Sequence, residues 1–358
     1  MNKKIIFSSG GTGGHVFPSI AIMNYFSKIG YDVLFVTDER GYNFLKNFEL
    51  KTHILNTETL ANKNLFKKIY SFLKIFVAIL KSIFILKKEK PNLVFGIGGY
   101  ASFPICLAAK ILNIPLVIYE NNLVLGRANK ILLPFATKLL VSTNKINEKL
   151  KEPKNKISVV GNLLREEIIE NKNFTKQTDE KNFSILVLGG SQGARVFGEI
   201  IPETIKKLNN LGYKIIIYQQ CNEDQINNLK NIYNESNIQN EVFKFKENIL
   251  NLISKSDIGI SRCGASTLSE FIYTKTPFIG VPYPYAIDNH QYYNVKYYED
   301  QGYCWTLEQE NFTSKNLFDL LVKILKNKEI LNKMSENMNK NDSKYTHNKI
   351  AEIIKELV

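Results

Sequence analysis

Short apolar runs recur along this chain, and each ends in a turn rich in glycine or small polar residues. The segments between them carry apolar residues at helical spacing. In the first half, this pattern predicts strands at Ile5–Ser9, Asp32–Thr37, Leu93–Gly96, Leu116–Tyr119, Lys138–Val141 and Ser158–Val160. Pro18–Ile29 reads as a helix, with Pro18 near its first turn and Gly30 just past its end. The second half repeats the alternation, with strands expected at Ile185–Leu188, Lys214–Tyr218, Val242–Phe245, Ile258–Ile260 and Phe278–Val281. The tail from Leu317 to Val358 is helical in pattern, with a polar break near Asn339–Tyr345. Apolar strands alternating with helices imply an α/β protein with parallel sheets covered on both faces. A polar stretch, Glu170–Asn182, reads as a surface connection near the join of two domains.

The segment Leu65–Leu86 breaks the ordinary amphipathic pattern. Apolar residues fill most of it, while Lys67, Ser71, Lys74, Ala78 and Lys81 fall on one narrow helical stripe. Lys87, Lys88 and Lys90 flank its end. The length suffices to span a bilayer. Lys74 and Lys81 argue against spanning, at about 2.5–3.5 kcal/mol each near the bilayer centre. A helix lying in the interface, with its lysines among anionic head groups, fits the pattern better. A helix packed on the sheet with its lysines in water is the alternative.

Composition adds charge to this picture. The 358 residues are enough for two domains, 44% of them are hydrophobic, and the formal net charge is +13. That charge suits an acidic partner, although Lys and Asn are abundant throughout and the excess is equally the signature of a biased composition. Arginine is scarce: Arg40, Arg127, Arg165, Arg195 and Arg262 are all there are. A planar guanidinium holds phosphate or carboxylate in a way lysine cannot copy, so these positions hint at geometry. Cys106, Cys221, Cys263 and Cys304 form no close pairs, as expected of reduced thiols. The four histidines have no metal-ligand spacing, so no structural zinc is expected. The N-terminus runs from Lys3-Lys4 straight into a strand, without the pattern of a signal peptide.

Two glycine-rich turns carry the chemistry. Gly10-Gly11-Thr12-Gly13-Gly14-His15 follows the first strand, and Gly189-Gly190-Ser191-Gln192-Gly193-Ala194-Arg195 opens the second half. Each sits where a strand hands over to a helix, a place where backbone N–H groups and the helix dipole hold anions. The first turn alone resembles a dinucleotide cradle, and Asp38 after the second strand could serve as the ribose-binding acid, which keeps a nicotinamide oxidoreductase open. His15 is placed to take a proton from a substrate hydroxyl, or else to shape the turn by a hydrogen bond. A basic nucleic-acid-binding protein is a third class, but no aromatic-basic interleaving of a known module occurs and no nucleic acid is expected.

Further motifs follow at expected strand ends: Gly98-Gly99-Tyr100-Ala101-Ser102, Glu120-Asn121-Asn122, Gly161-Asn162-Leu163-Leu164-Arg165, Ser261 to Glu270, and Asp288-Asn289-His290-Gln291. In this order, over nearly the whole chain, they resemble the MurG family. Those glycosyltransferases add N-acetylglucosamine to the lipid-linked muramyl-pentapeptide precursor of peptidoglycan. The resemblance implies a GT-B fold: two Rossmann-like domains with parallel sheets facing a central cleft. Residues 1–162 would form the acceptor- and membrane-facing domain and 163–342 the UDP-sugar domain, with a helix from about 343 to 358 packing back on the first. It implies UDP-N-acetylglucosamine as donor and a polyprenyl-diphosphate muramyl-pentapeptide as acceptor, whose C4 hydroxyl attacks with inversion. Ser191 would contact the diphosphate. Ala265, Ser266, Thr267, Leu268 and Ser269 would form a helix start facing the leaving group. Glu270 would take the ribose hydroxyls and Gln291 the sugar. Thr12, Gly13 and Gly14, with Asn122 and Arg165, would contact donor sugar and diphosphate, and His15 would act as base.

Helix N-termini and Arg165 can stabilise a departing diphosphate by fixed dipoles and charge, so neither metal nor cofactor is expected. Capping by Ser266-Thr267 and a solvated Glu270 are the plainer readings of that segment. Asn121 stands where the family usually has Gln, and Lys246 stands where an apolar residue usually lies beside the uracil. His290 either touches the sugar or fills its turn. The nearest rival is another UDP-sugar enzyme of the same fold, such as a UDP-N-acetylglucosamine epimerase. The Leu65–Lys90 segment would hold the protein peripherally on the cytoplasmic side of an anionic membrane.

Overall fold

The computed structural model describes residues 3–11, 13–45, 48, 50–57, 65–147, 150, 153–164, 181–190, 193–246, 249–339 and 345–358. The chain folds as two units, one of Met1–Glu166 with Asp342–Val358 and one of Glu167–Asn341.

The first unit is built on a sheet of β1 (Lys4–Ser8), β2 (Asp32–Thr37), β3 (Thr52–Ile54), β4 (Leu93–Gly96), β5 (Leu116–Glu120), β6 (Lys138–Val141) and β7 (Ile157–Val159). Every pairing is parallel, in the order β3-β2-β1-β4-β5-β6-β7. The connecting helices are α1 (Gly13–Lys28), α2 (Glu39–Tyr42), α3 (Leu65–Glu89), α4 (Ser102–Ile111), α5 (Arg127–Leu132) and α6 (Asn144–Asn147). In the second unit, β8 (Phe183–Leu188), β9 (Ile215–Gln220), β10 (Gln239–Phe243), β11 (Ile258–Ser261), β12 (Phe278–Gly280) and β13 (Cys304–Thr306) form a parallel sheet, ordered β10-β9-β8-β11-β12-β13. Its helices are α7 (Arg195–Asn210), α8 (Ile226–Glu235), α9 (Ile249–Lys255), α10 (Ala265–Tyr273), α11 (His290–Glu299), α12 (Ser314–Lys326) and α13 (Glu329–Met338). The last helix, α14 (Thr346–Leu357), belongs to the first unit. Ile350 and Ile354 enter the core formed by Ile5, Phe7, Phe26 and Phe95.

Both sheets are doubly wound, as the alternation of elements predicts. In each, the first strand lies between the second and the fourth, so successive connections leave toward opposite edges. That reversal opens a crevice at the carboxyl ends of β1 and β4, and of β8 and β11, where such sheets bind ligands.

Several expectations need correction. Helix α1 begins at Gly13, so Pro18 lies inside it rather than in its first turn. Gly11 turns the chain at φ +87°, early enough for the next glycines to be helical already. The three-residue strands β3 and β13 escape a periodicity search, because edge strands so short carry little alternation. The tail also breaks between Lys326 and Glu329, before the expected polar break, which lies largely outside the described residues. So does most of the Glu170–Asn182 connection.

The largest revision concerns α3. Ser71 and Ala78, placed with the lysines on one stripe, are buried, together with Ser82, Ile85, Leu86 and Glu89. The helix packs on α4, and small Ser71, Ala78 and Ser82 lie on its buried side. The apolar arc points outward, as a helix lying in an interface requires. Ile69, Tyr70, Leu73, Phe76, Val77 and Leu80 are exposed, and Phe72 and Phe84 are 64% and 69% exposed. Lys81 is exposed, Lys74 stacks over the Tyr70 ring at 4.7 Å, and the Lys67 side chain lies outside the described residues. The helix end is pinned by Glu89, which binds Lys51 at 2.9 Å and Lys4 at 3.0 Å. The Lys51 hydrogen bond, with Lys4, holds its carboxyl down to about 2.

Candidate active site

The crevice of the first unit is lined by backbone packed on backbone. A Cβ on Gly99 would lie 2.9 Å from the Gly10 carbonyl, and one on Gly10 would lie 2.5 Å from the Ala101 Cβ. Only glycine lets these two turns touch. The buried Asp38 side chain braces them: Oδ1 accepts from Gly11 N–H at 3.0 Å and from Gly41 N–H at 2.9 Å. Its Oδ2 accepts from Arg40 Nε and Nη2 at 3.1 and 3.0 Å. Both carboxylate oxygens are thus engaged, which removes the ribose-binding acid that a nicotinamide oxidoreductase would need.

His15 sits in the first turns of α1, half-buried, with its ring beside Gly98. A Cβ on Gly98 would come within 3.5 Å of its Cε1 and 3.6 Å of its Nδ1. The His15 carbonyl accepts from the Ser19 hydroxyl at 2.6 Å. At the end of β5, the buried Glu120 gathers the next loop. Its Oε1 accepts from Asn122 N–H and Nδ2, each at 3.0 Å, and its Oε2 from Gly126 N–H at 2.8 Å and Asn129 Nδ2 at 3.0 Å. Glu120 was visible as part of a motif, but periodicity gave it no role. Its four-bond knot fixes both the backbone and the amide of Asn122.

In the second unit, Gly190 and Gly193 have φ of +81° and +70°, and Gly193 N–H closes the turn onto the Gly190 carbonyl at 3.0 Å. A Cβ on Gly189 would strike the Ala194 nitrogen at 2.5 Å. Across the crevice of this sheet, α10 starts behind Gly264, which has extended ψ and no capping side chain. The first N–H groups of Ala265, Ser266 and Thr267 therefore lack intrahelical carbonyls, and the helix dipole points its positive end at the same place. Gly264, rather than Ser266 or Thr267, stands at the N-cap position. Glu270 is 4% exposed, so it is no solvated helix face. Leu268 and Ser269 are buried, and the Ser269 hydroxyl bonds back to the Ala265 carbonyl at 2.6 Å.

Gln291 and Asn294, one turn apart on α11, grip the peptide that leads into α10. Gln291 Oε1 accepts from Cys263 N–H at 3.1 Å and Tyr283 N–H at 3.0 Å, and Asn294 Nδ2 donates to the Cys263 carbonyl at 3.2 Å. Asn294 was missed in the sequence, although its i,i+3 spacing from Gln291 marks the shared face. His290 Nδ1 lies 2.8 Å from the Ile287 carbonyl, within a turn where Asp288 and Asn289 are left-handed at φ 52° and 53°, so it fills the turn. Lys246 folds its ammonium back onto Glu241 and over the Phe243 ring.

Two family domains match this chain. Residues 5–141 fit the glycosyltransferase family 28 N-terminal domain, and residues 184–356 fit the family 28 C-terminal domain. A relative from Pelagibacter ubique (strain HTCC1062) is 40% identical over 92% of this chain and 91% of its own length. One from Rickettsia canadensis (strain McKiel) is 37% identical over 99% of this chain and all of its own. Both are named UDP-N-acetylglucosamine--N-acetylmuramyl-(pentapeptide) pyrophosphoryl-undecaprenol N-acetylglucosamine transferase. The crystal structure of Acinetobacter baumannii MurG superposes with a TM-score of 0.79 at 25% identity, covering 99% of each chain. The chain belongs to the MurG family of glycosyltransferases.

Set beside the MurG motifs, the first unit places Gly13, Gly14, His15 and the Glu120-anchored Asn122 after the carboxyl ends of β1 and β5. The second unit brings together the Gly189–Gly193 turn, the open end of α10, Glu270 and Gln291. Thr12, Arg165 and Ser191 lie outside the described residues. The scarce arginines are used differently from the expectation. Arg40 closes on Asp38, and Arg195 on Asp224 at 2.6 Å. Arg262 lies between the rings of Phe197 and Tyr283, at 5.0 and 5.4 Å, and bonds to Gln309. These three brace turns rather than offering a free fork to phosphate.

Proposed function

We propose that this chain transfers N-acetylglucosamine from UDP-N-acetylglucosamine to the C4 hydroxyl of undecaprenyl-diphospho-muramyl-pentapeptide, the step from lipid I to lipid II in peptidoglycan synthesis. The observation that carries this reading is the uncapped start of α10 beside a glycine turn at the switch point of the second sheet, with Glu270 buried behind it. Such a place holds a diphosphate by N–H groups and dipole. The second unit binds the donor: Ser191 and residues Ala265–Ser269 take the diphosphate, Glu270 the ribose hydroxyls, and Gln291 the sugar. Lys246 presents its backbone to the uracil, since its side chain is held by Glu241.

The first unit binds the acceptor. Thr12, Gly13 and Gly14, with Asn122 and Arg165, contact the donor sugar and diphosphate. His15 removes the proton of the C4 hydroxyl as its oxygen attacks the anomeric carbon from the side opposite UDP. The bond from that carbon to the diphosphate oxygen breaks, its electron pair leaves with UDP, and the configuration inverts. Helix dipole and Arg165 stabilise the charge that grows on the leaving group.

The first unit also carries the membrane contact, on the cytoplasmic side. Its support is the outward apolar face of α3, a helix long and apolar enough to cross a membrane by length and composition. A groove of about 460 Å³ between α3 and β3, lined by Ile54, Leu55, Leu80, Phe84 and Ile85 with Lys81 and His53, extends that face. Exposed apolar surface this continuous is rare unless something covers it, and the lysines around it suit anionic head groups.

The test is to incubate the protein with labelled UDP-N-acetylglucosamine, with and without the lipid-linked acceptor. Transfer of label to lipid that depends on the acceptor is the expected result. Consumption of the nucleotide sugar without acceptor, with a 2-epimer as product, identifies the epimerase instead.

A further inference from the structure

At the carboxyl end of the second sheet, the loops after four strands meet at one side chain. Arg262 directly follows β11, and its N–H donates to the Leu188 carbonyl at the end of β8 at 3.1 Å. A Cβ on Gly190, in the glycine turn, would lie 4.0 Å from the Arg262 Cβ. The guanidinium reaches the other two loops. Nη1 donates to the Val281 and Pro282 carbonyls after β12, at 3.2 and 3.3 Å, and Nη2 donates to Gln309 Oε1 beyond β13. These bonds close a ring. Gln291 Oε1 accepts from both Tyr283 N–H and Cys263 N–H. Residues 281–283 are thus held at their carbonyls by Arg262 and at an N–H by Gln291, and the two holders are joined through Cys263, the neighbour of Arg262. Gly264 comes next, where a Cβ would meet nothing within 4 Å, so open space adjoins the start of α10.

We infer that Arg262 is a positioning residue for the donor diphosphate: through the loops after β8, β12 and β13 it fixes where the Gly189–Gly193 turn and the start of α10 stand relative to each other. This rests on the donor assignment proposed above for the second unit. A diphosphate draws on N–H groups of both segments at once, and fixed donors stabilise it best when they are aimed before it arrives. Arg262 acts from behind, through the backbone it ties, and its Nη atoms are engaged by loop oxygens. A planar fork with separated nitrogens suits acceptors on two loops, and a single lysine ammonium cannot copy it.

The test uses the full-length protein, with UDP binding by calorimetry and both substrates in the transfer assay. Arg262→Lys keeps the charge and loses the fork. It weakens UDP binding and raises the donor KM about tenfold, the size of one charge-assisted hydrogen bond. Acceptor KM and kcat stay within about twofold, as for a loss confined to donor binding. Gln309→Leu removes one acceptor of the guanidinium and raises the donor KM about threefold, and this arm stands even where Arg262→Lys folds poorly. The double variant goes no further than Arg262→Lys alone, because the link is already broken. Parent-like UDP affinity in Arg262→Lys shows that charge alone matters and overturns the inference. So does an additive double variant, an unchanged donor KM in Gln309→Leu, or a rise in both KM values that follows a fall in Tm. Absence of UDP binding by the unaltered chain overturns the proposed donor site and this inference with it, whereas equal UDP binding by parent and both variants overturns this inference alone.

Discussion

Two glycine turns, one after β1 and one after β8, occupy equivalent places in sheets of matching strand order, yet they have different neighbours. Beside the first stands Asp38, whose carboxylate already holds the Gly11 N–H. Beside the second stands Asn222, so close that a Cβ on Gly193 would meet its Oδ1 at 2.0 Å. A carboxylate fills an N–H that would otherwise bind a phosphate, and its charge opposes one. A neutral carboxamide does not oppose one. The glycine turns that look alike in sequence therefore differ in electrostatics, an Arg40-paired carboxylate at one and a neutral carboxamide at the other. That difference accords with the diphosphate proposed for the second turn.

The sharpest separation of the two units comes from their central residues. His15→Ala should lower turnover about 10²–10⁴-fold, the usual worth of a general base, while UDP binding by calorimetry stays nearly intact. Glu270→Ala should instead weaken UDP binding about 10–100-fold, as expected for lost hydrogen bonds to a charged group. If His15→Ala loses binding and rate equally, His15 only shapes its turn.

The next largest effect is confined to the first unit. His347, at the start of α14, is 2% exposed, and neither ring nitrogen has a hydrogen-bond partner among the described residues. Burial lowers its pKa from 6.5 to about 4. The native state thus holds it neutral where the unfolded chain takes up a proton. Its contribution is complete above pH 6.5 and is lost as pH falls toward 4, amounting to about 3 kcal/mol. His347→Leu should flatten acid unfolding over that window; unchanged acid sensitivity would show that other groups control it.

Two smaller effects complete the contrast. Lys74→Glu with Lys81→Glu should weaken sedimentation with anionic vesicles, at about 1 kcal/mol per lysine lost. Equal sedimentation of variant and parent removes the interface role of α3. Asn222→Asp should weaken UDP binding about fivefold by placing a charge beside the second turn. Asp38→Asn should lower Tm with UDP binding unchanged. Should both substitutions act alike on UDP, the electrostatic contrast between the turns is wrong.

Much of the fold was legible because buried parallel strands are uniformly apolar: Ile5-Ile6-Phe7 and Ile185 to Leu188 could be little else. The edge strands Thr52–Ile54 and Cys304–Thr306 were not, since they are short and half-exposed. For α3, periodicity found the odd stripe but not its direction. Ser71 and Ala78 lie on its buried side, a fact of packing that polarity alone does not reveal. At the site, the glycine turns stood out by pattern, whereas Glu270 was marked by the family resemblance alone. Asp38 was misread, because a sequence shows a carboxylate but not the N–H groups that already occupy it. Tyr119 and Asn294 act through bonds to backbone far along the chain, and Glu120 through N–H groups of the loop that follows it, contacts that hydrophobic periodicity does not reveal.

The return of α14 to the first unit sets an order of events during synthesis. The second unit is complete once residue 341 has been made. The first begins to emerge earlier, yet its core waits for Ile350 and Ile354. On the ribosome, the part made first is therefore the last to close, and until then its unfinished apolar face is what a chaperone would meet.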